Sequence, residues 1–153
     1  MPEPSGEVTK DAFYGGAFHL LQPARGGLRA GDDALLLAAT VEPGQGGTAA
    51  DLGSGSGAVA LAAATRAPAL HLTLAERDPA IVDLARRTLA LPENADLSRR
   101  LRVAELDLLQ LRPAREAAGL ADGAFDLVLT NPPFHPAGGR VSPDATRAAA
   151  KAE

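Results

Sequence analysis

Thr48-Ala49-Ala50-Asp51-Leu52-Gly53-Ser54-Gly55-Ser56-Gly57 is the stretch on which the fold turns. Thr48 to Leu52 reads as a short strand, Gly53 to Gly57 as a tight loop, and Ala58 to Arg66 as a helix of small residues. Strand, glycine loop and helix start together open a βαβ unit. Its glycines let the backbone approach a ligand closely, and the N–H groups of the helix start favour polar or anionic groups. The loop fits more than one cofactor. Gly55-Ser56-Gly57-Ala58-Val59-Ala60 matches the G-x-G-x-x-A dinucleotide pattern, and Glu76 follows Gly55 by about the twenty residues expected of a ribose-binding acid. Asp51 helps to separate the candidates. An acid just ahead of the loop would face the negative pyrophosphate of NAD, whereas it could accept a hydrogen bond from the ammonium of S-adenosylmethionine, which has no phosphate. A structural role for Asp51, capping the loop's own amides, is the alternative.

Downstream, three more strands end on residues of the same kind. Leu70 to Ala75 runs into Glu76, where a carboxylate can grip both ribose hydroxyls or stand as an exposed strand-end acid. Asp78-Pro79 opens a helix with an N-cap acid and a proline at the first helical position. Ile81, Val82, Ala85 and Leu89 form its apolar stripe, and Arg86 and Arg87 face solvent. Leu101 to Leu106 ends at Asp107, which could take the amine of an adenine ring or simply cap its own turn.

The fourth strand, Asp126 to Thr130, runs straight into Asn131-Pro132-Pro133-Phe134. That turn suits a flat amine, whose nitrogen lone pair is delocalised and attacks poorly unless its hydrogens are held. The Asn131 side-chain oxygen and the Pro132 carbonyl offer two acceptors, and proline adds stiffness without a competing N–H. Phe134 could stack on a planar base or amide. The plainer alternative is a loop in which Asn and Pro only turn the chain. In an open α/β sheet the four strand ends line one crevice, so the glycine loop, Glu76, Asp107 and Asn131 converge there.

On these residues the chain resembles class I S-adenosylmethionine-dependent methyltransferases of the Asn-Pro-Pro-aromatic, amino-methylating group, and among them the bacterial tRNA(Val) adenine-N6 methyltransferases. The resemblance runs from Asp11-Ala12-Phe13, through Leu28-Arg29-Ala30-Gly31-Asp32-Asp33-Ala34, to Ser142-Pro143-Asp144. It implies an α/β, Rossmann-like sheet and S-adenosyl-L-methionine as the cofactor. Asp51, Gly53, Gly55 and Gly57 would hold the methionine end, Glu76 the ribose and Asp107 the adenine, with Arg77 and Leu108 also in the cofactor-binding set. Asn131, Pro132, Pro133 and Phe134 would be catalytic, positioning the amine for in-line attack, with no metal. The implied reaction is methylation of an exocyclic amine, adenine N6 in tRNA or another RNA. The rivals are protein glutamine methylation, which uses the same turn, and a fragment that binds the cofactor without turnover.

Two departures stand out. Arg77 occupies the place where the family has an aliphatic residue against the adenine. The stretch after Phe134 is also too short for the three further strands of a seven-stranded sheet, so the sheet reads as truncated after its fourth core strand. The expected organisation is therefore an N-terminal hairpin and helix covering the cofactor site over residues 1–47, then a C-terminally incomplete cofactor-binding core over 48–153.

Composition is that of a single soluble domain, with 153 residues, 46% hydrophobic and 22% charged. Aromatics are only 3%, so the core must be built from Leu, Val and many Ala. The absence of Cys excludes disulfides and thiolate metal sites, which suits a cytoplasmic location. There is neither a signal peptide nor an apolar run of membrane-spanning length. A net charge of −4 weighs against a nucleic-acid partner unless Arg25, Arg29, the Arg99-Arg100-Arg102 cluster and Arg140 form a local basic patch. Nothing in the sequence sets an oligomeric state. Gln22, Arg29 and Asp33 are further candidates for covering the cofactor. Their segment reads as an extended pair around Pro23 and Gly26-Gly27, followed by a helix from Ala34 to Thr40 capped by Asp32 or Asp33.

Overall fold

The computed structural model describes residues 6–25 and 29–132. Four strands, β3 (Gly47–Leu52), β4 (Leu70–Glu76), β5 (Leu101–Glu105) and β6 (Leu127–Thr130), form an all-parallel sheet in the order β5-β4-β3-β6. Strand β6 is at the edge among the described residues, with Val128 exposed. The register pairs Leu52 with both Ala75 and Thr130, and Glu76 with Glu105. The C-terminal ends of all four strands therefore finish at one level. This is the Rossmann-like arrangement the βαβ spacing predicts.

The first helix of the sheet unit, α2 (Ala58–Arg66), buries every residue from Ala58 to Ala64. Small side chains allow it to lie close over Leu70, Leu72 and Leu74, which are themselves buried. The next crossover helix, α3 (Pro79–Leu89), starts as its sequence requires. Asp78 is the N-cap and its side chain accepts from the Ala80 N–H, while Ile81, Val82 and Ala85 are buried and Arg86 and Arg87 are exposed. A short helix α4 (Ala95–Ser98) precedes β5, and α5 (Arg112–Ala117) lies between β5 and β6.

The N-terminal region departs from the expected layout. The hairpin is formed by β1 (Val8–Phe13) and β2 (Phe18–Pro23), paired from Val8↔Pro23 to Phe13↔Phe18. Its turn is Tyr14-Gly15-Gly16, not Pro23 and the glycines beyond it. All three have positive φ, ordinary for the two glycines and uncommon for Tyr14 at 48°. Helix α1 (Asp32–Ala39) begins earlier than expected, with Gly31 as its N-cap and both aspartates inside the first turn. Strand β2 buries Phe18, Leu20 and Gln22 and lies against α2 and α3, so the hairpin extends the core on the helical face of the sheet.

Candidate active site

The glycine loop is held by the end of β4. The N–H groups of Gly53 and Ser54 both donate to the Ala75 carbonyl, at 2.9 and 3.1 Å, Gly57 N–H donates to Ser54 O, and Gly55 N–H donates to Glu76 Oε2 at 3.0 Å. Gly53, Gly55 and Gly57 sit at φ of 69°, 57° and 110°, a region where side chains are strained. Cβ atoms added at Gly53 or Gly55 would meet open space, whereas one at Gly57 would lie 3.0 Å from Leu74 Cδ2. The first two glycines thus serve the loop's curvature beside an open crevice, and the third serves close packing of α2 on the sheet.

These hydrogen bonds leave fewer loop amides for a phosphate. A pyrophosphate needs free N–H donors, and the amides of Gly53, Ser54, Gly55 and Gly57 are already engaged within the protein. Two buried acids, Asp51 and Glu76, flank the same loop.

Asp51 is the penultimate residue of β3 and is 1% exposed. Burial pushes its carboxyl up to about 7, against a lowering hydrogen bond from the Ala60 N–H and with a further push from Glu76. Ala60 lies in the first turn of α2, so the capping role is real. It engages only part of the carboxylate, because Oδ2 has no hydrogen-bond partner among the described residues. The Ser54 hydroxyl is buried and likewise without a partner. A buried carboxylate oxygen and a hydroxyl beside an open glycine loop match the ammonium and carboxylate of an amino-acid moiety. Ser54 was not singled out by sequence reasoning, since a serine between glycines reads as turn composition.

Glu76 is buried, not the exposed strand-end acid of the plainer reading. Oε1 accepts from the N–H groups of Arg77 and Asp78, at 2.8 and 3.0 Å, and Oε2 from Gly55. It therefore joins the loop to the start of α3, and Oε2 retains a lone pair for a ribose hydroxyl. Asp107 is half-buried beyond β5, with Oδ1 accepting from the Leu109 N–H at 2.9 Å, so it caps its own turn and presents its other oxygen. Leu108 next to it is half-buried.

Asn131 follows β6 directly, and Thr130 Oγ1 donates to the Leu52 carbonyl at 3.1 Å, which ties this end of β6 to the start of the glycine loop. The Asn131 side-chain Nδ2 donates to Asp33 Oδ2 at 3.4 Å. Pro132 is exposed; Pro133, Phe134 and Arg140 lie outside the described residues.

Gln22 and Arg29, candidates for covering the cofactor, bond instead within the N-terminal region. Gln22 Nε2 donates to Asp11 and its Oε1 accepts from Ala30 N–H, while Arg29 donates to Thr9, Asp11 and the Pro23 carbonyl. The arginine cluster is also not a free basic patch. Arg100 turns inward to the carbonyls of Ala64, Ala67 and Leu70, Arg102 donates to those of Ala118 and Gly119, and Arg99 pairs with Asp96. Among the described residues no group of three or more His, Asp or Glu could hold a metal ion, and no helix is long and apolar enough to cross a membrane.

Residues 27–152 match the methyltransferase small domain, and the chain belongs to that family. It is 39% identical over 89 residues to a release factor glutamine methyltransferase of Chlorobaculum tepidum, covering 56% of this chain and 27% of that protein. Among solved structures it is similar to a predicted O-methyltransferase of Agrobacterium tumefaciens, protein Atu636, with a TM-score of 0.61 and 42% identity over 66% of this chain and 49% of that one. It is also similar to the Thermus thermophilus 16S rRNA N2 G1207 methyltransferase in complex with AdoMet and guanosine. There the TM-score is 0.54 and the identity 29%, over 91% of this chain and 36% of that one. The chain spans about half or less of the length of each of these relatives. S-adenosylmethionine is the methyl donor of this family, and the orphaned Asp51 and Ser54 oxygens beside the open loop fit its amino-acid end.

Proposed function

We propose that this protein transfers a methyl group from S-adenosylmethionine to the exocyclic amine of a purine in RNA, with adenine N6 in tRNA as the first substrate to test. The observation that carries the reading is the position of Asn131. It follows β6 with its NH₂ engaged by Asp33, so its Oδ1 is available as an acceptor beside the loop that fits the cofactor. An acceptor there suits a planar, conjugated amine, whose hydrogens must be held before nitrogen can attack. Asn131 Oδ1 and the Pro132 carbonyl take those hydrogens, and Phe134 offers a face on which the base stacks.

The cofactor supplies a methyl group already activated on a sulfonium. Asp51 accepts from the ammonium, Glu76 binds ribose, and Asp107 with Leu108 and Arg77 borders the adenine. Transfer of that methyl group would leave the amine with one proton fewer, lost to solvent. Orientation of two bound reactants accounts for much of such a rate, up to about 7–11 kcal/mol in well-oriented systems.

Methylation of a glutamine side chain in a protein is the second reading, supported by the 39% identity to a release factor glutamine methyltransferase. An amide nitrogen poses the same problem to Asn131 as an aromatic amine. Guanine N2 in ribosomal RNA, the target of the Thermus relative, is a third amine of that kind.

Radiolabelled methyl transfer to unmodified tRNA, ribosomal RNA and a release factor separates these substrates. Asn131→Ala is expected to abolish transfer while S-adenosylhomocysteine affinity stays within a few-fold by calorimetry. Loss of both together would make the turn structural, and cofactor binding without transfer to any amine would leave a binding protein, not an enzyme.

A further inference from the structure

We infer that Asp33, from the first turn of α1, is a positioning residue that sets the orientation of the Asn131 amide. The two residues are far apart in sequence, yet Asp33 Oδ2 accepts from Asn131 Nδ2 at 3.4 Å. A carboxylate offers only acceptors, so the amide group facing it must be the NH₂, and Oδ1 is thereby turned away from α1. An unrestrained asparagine would present its amine and its oxygen by turns. Only the oxygen can hold an amine hydrogen.

The carboxylate is itself fixed. Its Oδ1 accepts from the Ala34 N–H at 3.0 Å, an amide it shares with the Gly31 carbonyl at 3.2 Å. The place it occupies exists because residue 31 is glycine. Gly31 has an ordinary φ of −109°, but a Cβ there would lie 2.8 Å from Asp33 Oδ1. Gly31 thus makes room for Asp33, Asp33 orients Asn131, and hydrogen bonding at the NH₂ end strengthens the amide oxygen as an acceptor. The catalytic part of this inference rests on the function proposed above; the orientation does not.

The sequence contains only two asparagines, Asn94 and Asn131, so selective ¹⁵N labelling gives two side-chain amide pairs in a protein NMR spectrum. Asp33→Ala is expected to shift and broaden the Asn131 pair and leave the Asn94 pair in place. Gly31→Ala, which removes no hydrogen-bonding group, is expected to move the same pair. With an accepted substrate, both lower kcat by about tenfold to a hundredfold, with KM and S-adenosylhomocysteine affinity within threefold. Asp33→Asn, which keeps an acceptor oxygen, recovers part of the rate. An Asn131 pair unmoved in both Asp33→Ala and Gly31→Ala overturns the inference, as does a kcat within twofold of wild type. If the pair moves but the wild-type chain methylates none of the three substrates, the orientation stands and the proposed function fails.

Discussion

Asp51 is asked to be a stable buried residue and a binding group at once, and the two demands have opposite pH dependence. Burial raises its carboxyl from 3.8 to about 7. A carboxyl raised in the folded state contributes stability that is complete below about pH 4 and is lost as pH rises through about 7. At pH 8 the ionised, buried group costs the cofactor-free protein about 4 kcal/mol. An ammonium partner recovers that loss, because it favours the ionised form. S-adenosylhomocysteine affinity should therefore be constant above about pH 7.5 and fall by up to about tenfold per pH unit below 7, where binding must release the Asp51 proton. Calorimetry between pH 5.5 and 8.5 reads this directly. Asp51→Asn should raise the melting temperature at pH 8 while weakening binding at least about tenfold. Affinity indifferent to pH, or a variant that loses stability and binding together, would confine Asp51 to capping α2.

At the scale of elements, the hairpin is attached by side chains more than by backbone pairing. Strand β2 pairs with β1 on one side only. On the other, Asn94 accepts from His19 N–H at 2.9 Å and donates to the carbonyls of His19 and Thr88, and Thr88 Oγ1 accepts from Leu21 N–H. Both residues are fully buried. Asn94→Ala leaves several buried groups without partners and should destabilise the protein by about 2–4 kcal/mol, with the His19 amide losing hydrogen-exchange protection ahead of the sheet; uniform loss across the sheet would mean the hairpin and the core unfold together. This attachment explains what the sequence did and did not disclose. Helix α2 was legible to the residue, because small residues between a glycine loop and Arg66 leave no competing pattern. Strand β1 was not, because neither of its faces is buried and its sequence carries no apolar alternation. Arg100 read as surface charge because its three carbonyl partners belong to elements that only folding brings together. The acids at the strand ends were legible as a set, whereas the contact of Asp33 with Asn131 crosses from the hairpin side of the molecule to the end of the sheet and leaves no local trace.

For the whole molecule, the crevice gathers the ends of β3, β4, β5 and β6, so a ligand seated there joins segments that otherwise meet mainly through the sheet. The core beneath is built from small residues, with alanines on α2, β3 and β4 fully buried, and each buries less apolar area than a leucine would. Strand β6 is held by β3, by Asp126 Oδ2 accepting from Thr48 N–H at 2.9 Å, and by Thr130 on Leu52. A protein with so modest a core should respond strongly to a ligand that bridges its strand ends. At a concentration of S-adenosylhomocysteine a hundred times its Kd, linkage gives about 2.7 kcal/mol, which for a domain of this size raises the melting temperature by roughly 5–10 °C. NADH at the same concentration should give no shift, because the amides of Gly53, Ser54, Gly55 and Gly57 are already bonded within the protein and are not offered to a pyrophosphate. Scanning fluorimetry with both ligands, on the wild-type chain and on Asp51→Asn, reads the effect. Equal shifts from the two ligands would mean the crevice does not discriminate against phosphate. A shift from S-adenosylhomocysteine that survives Asp51→Asn undiminished would place the amino-acid end of the cofactor away from the one buried carboxylate oxygen that lacks a protein partner among the described residues.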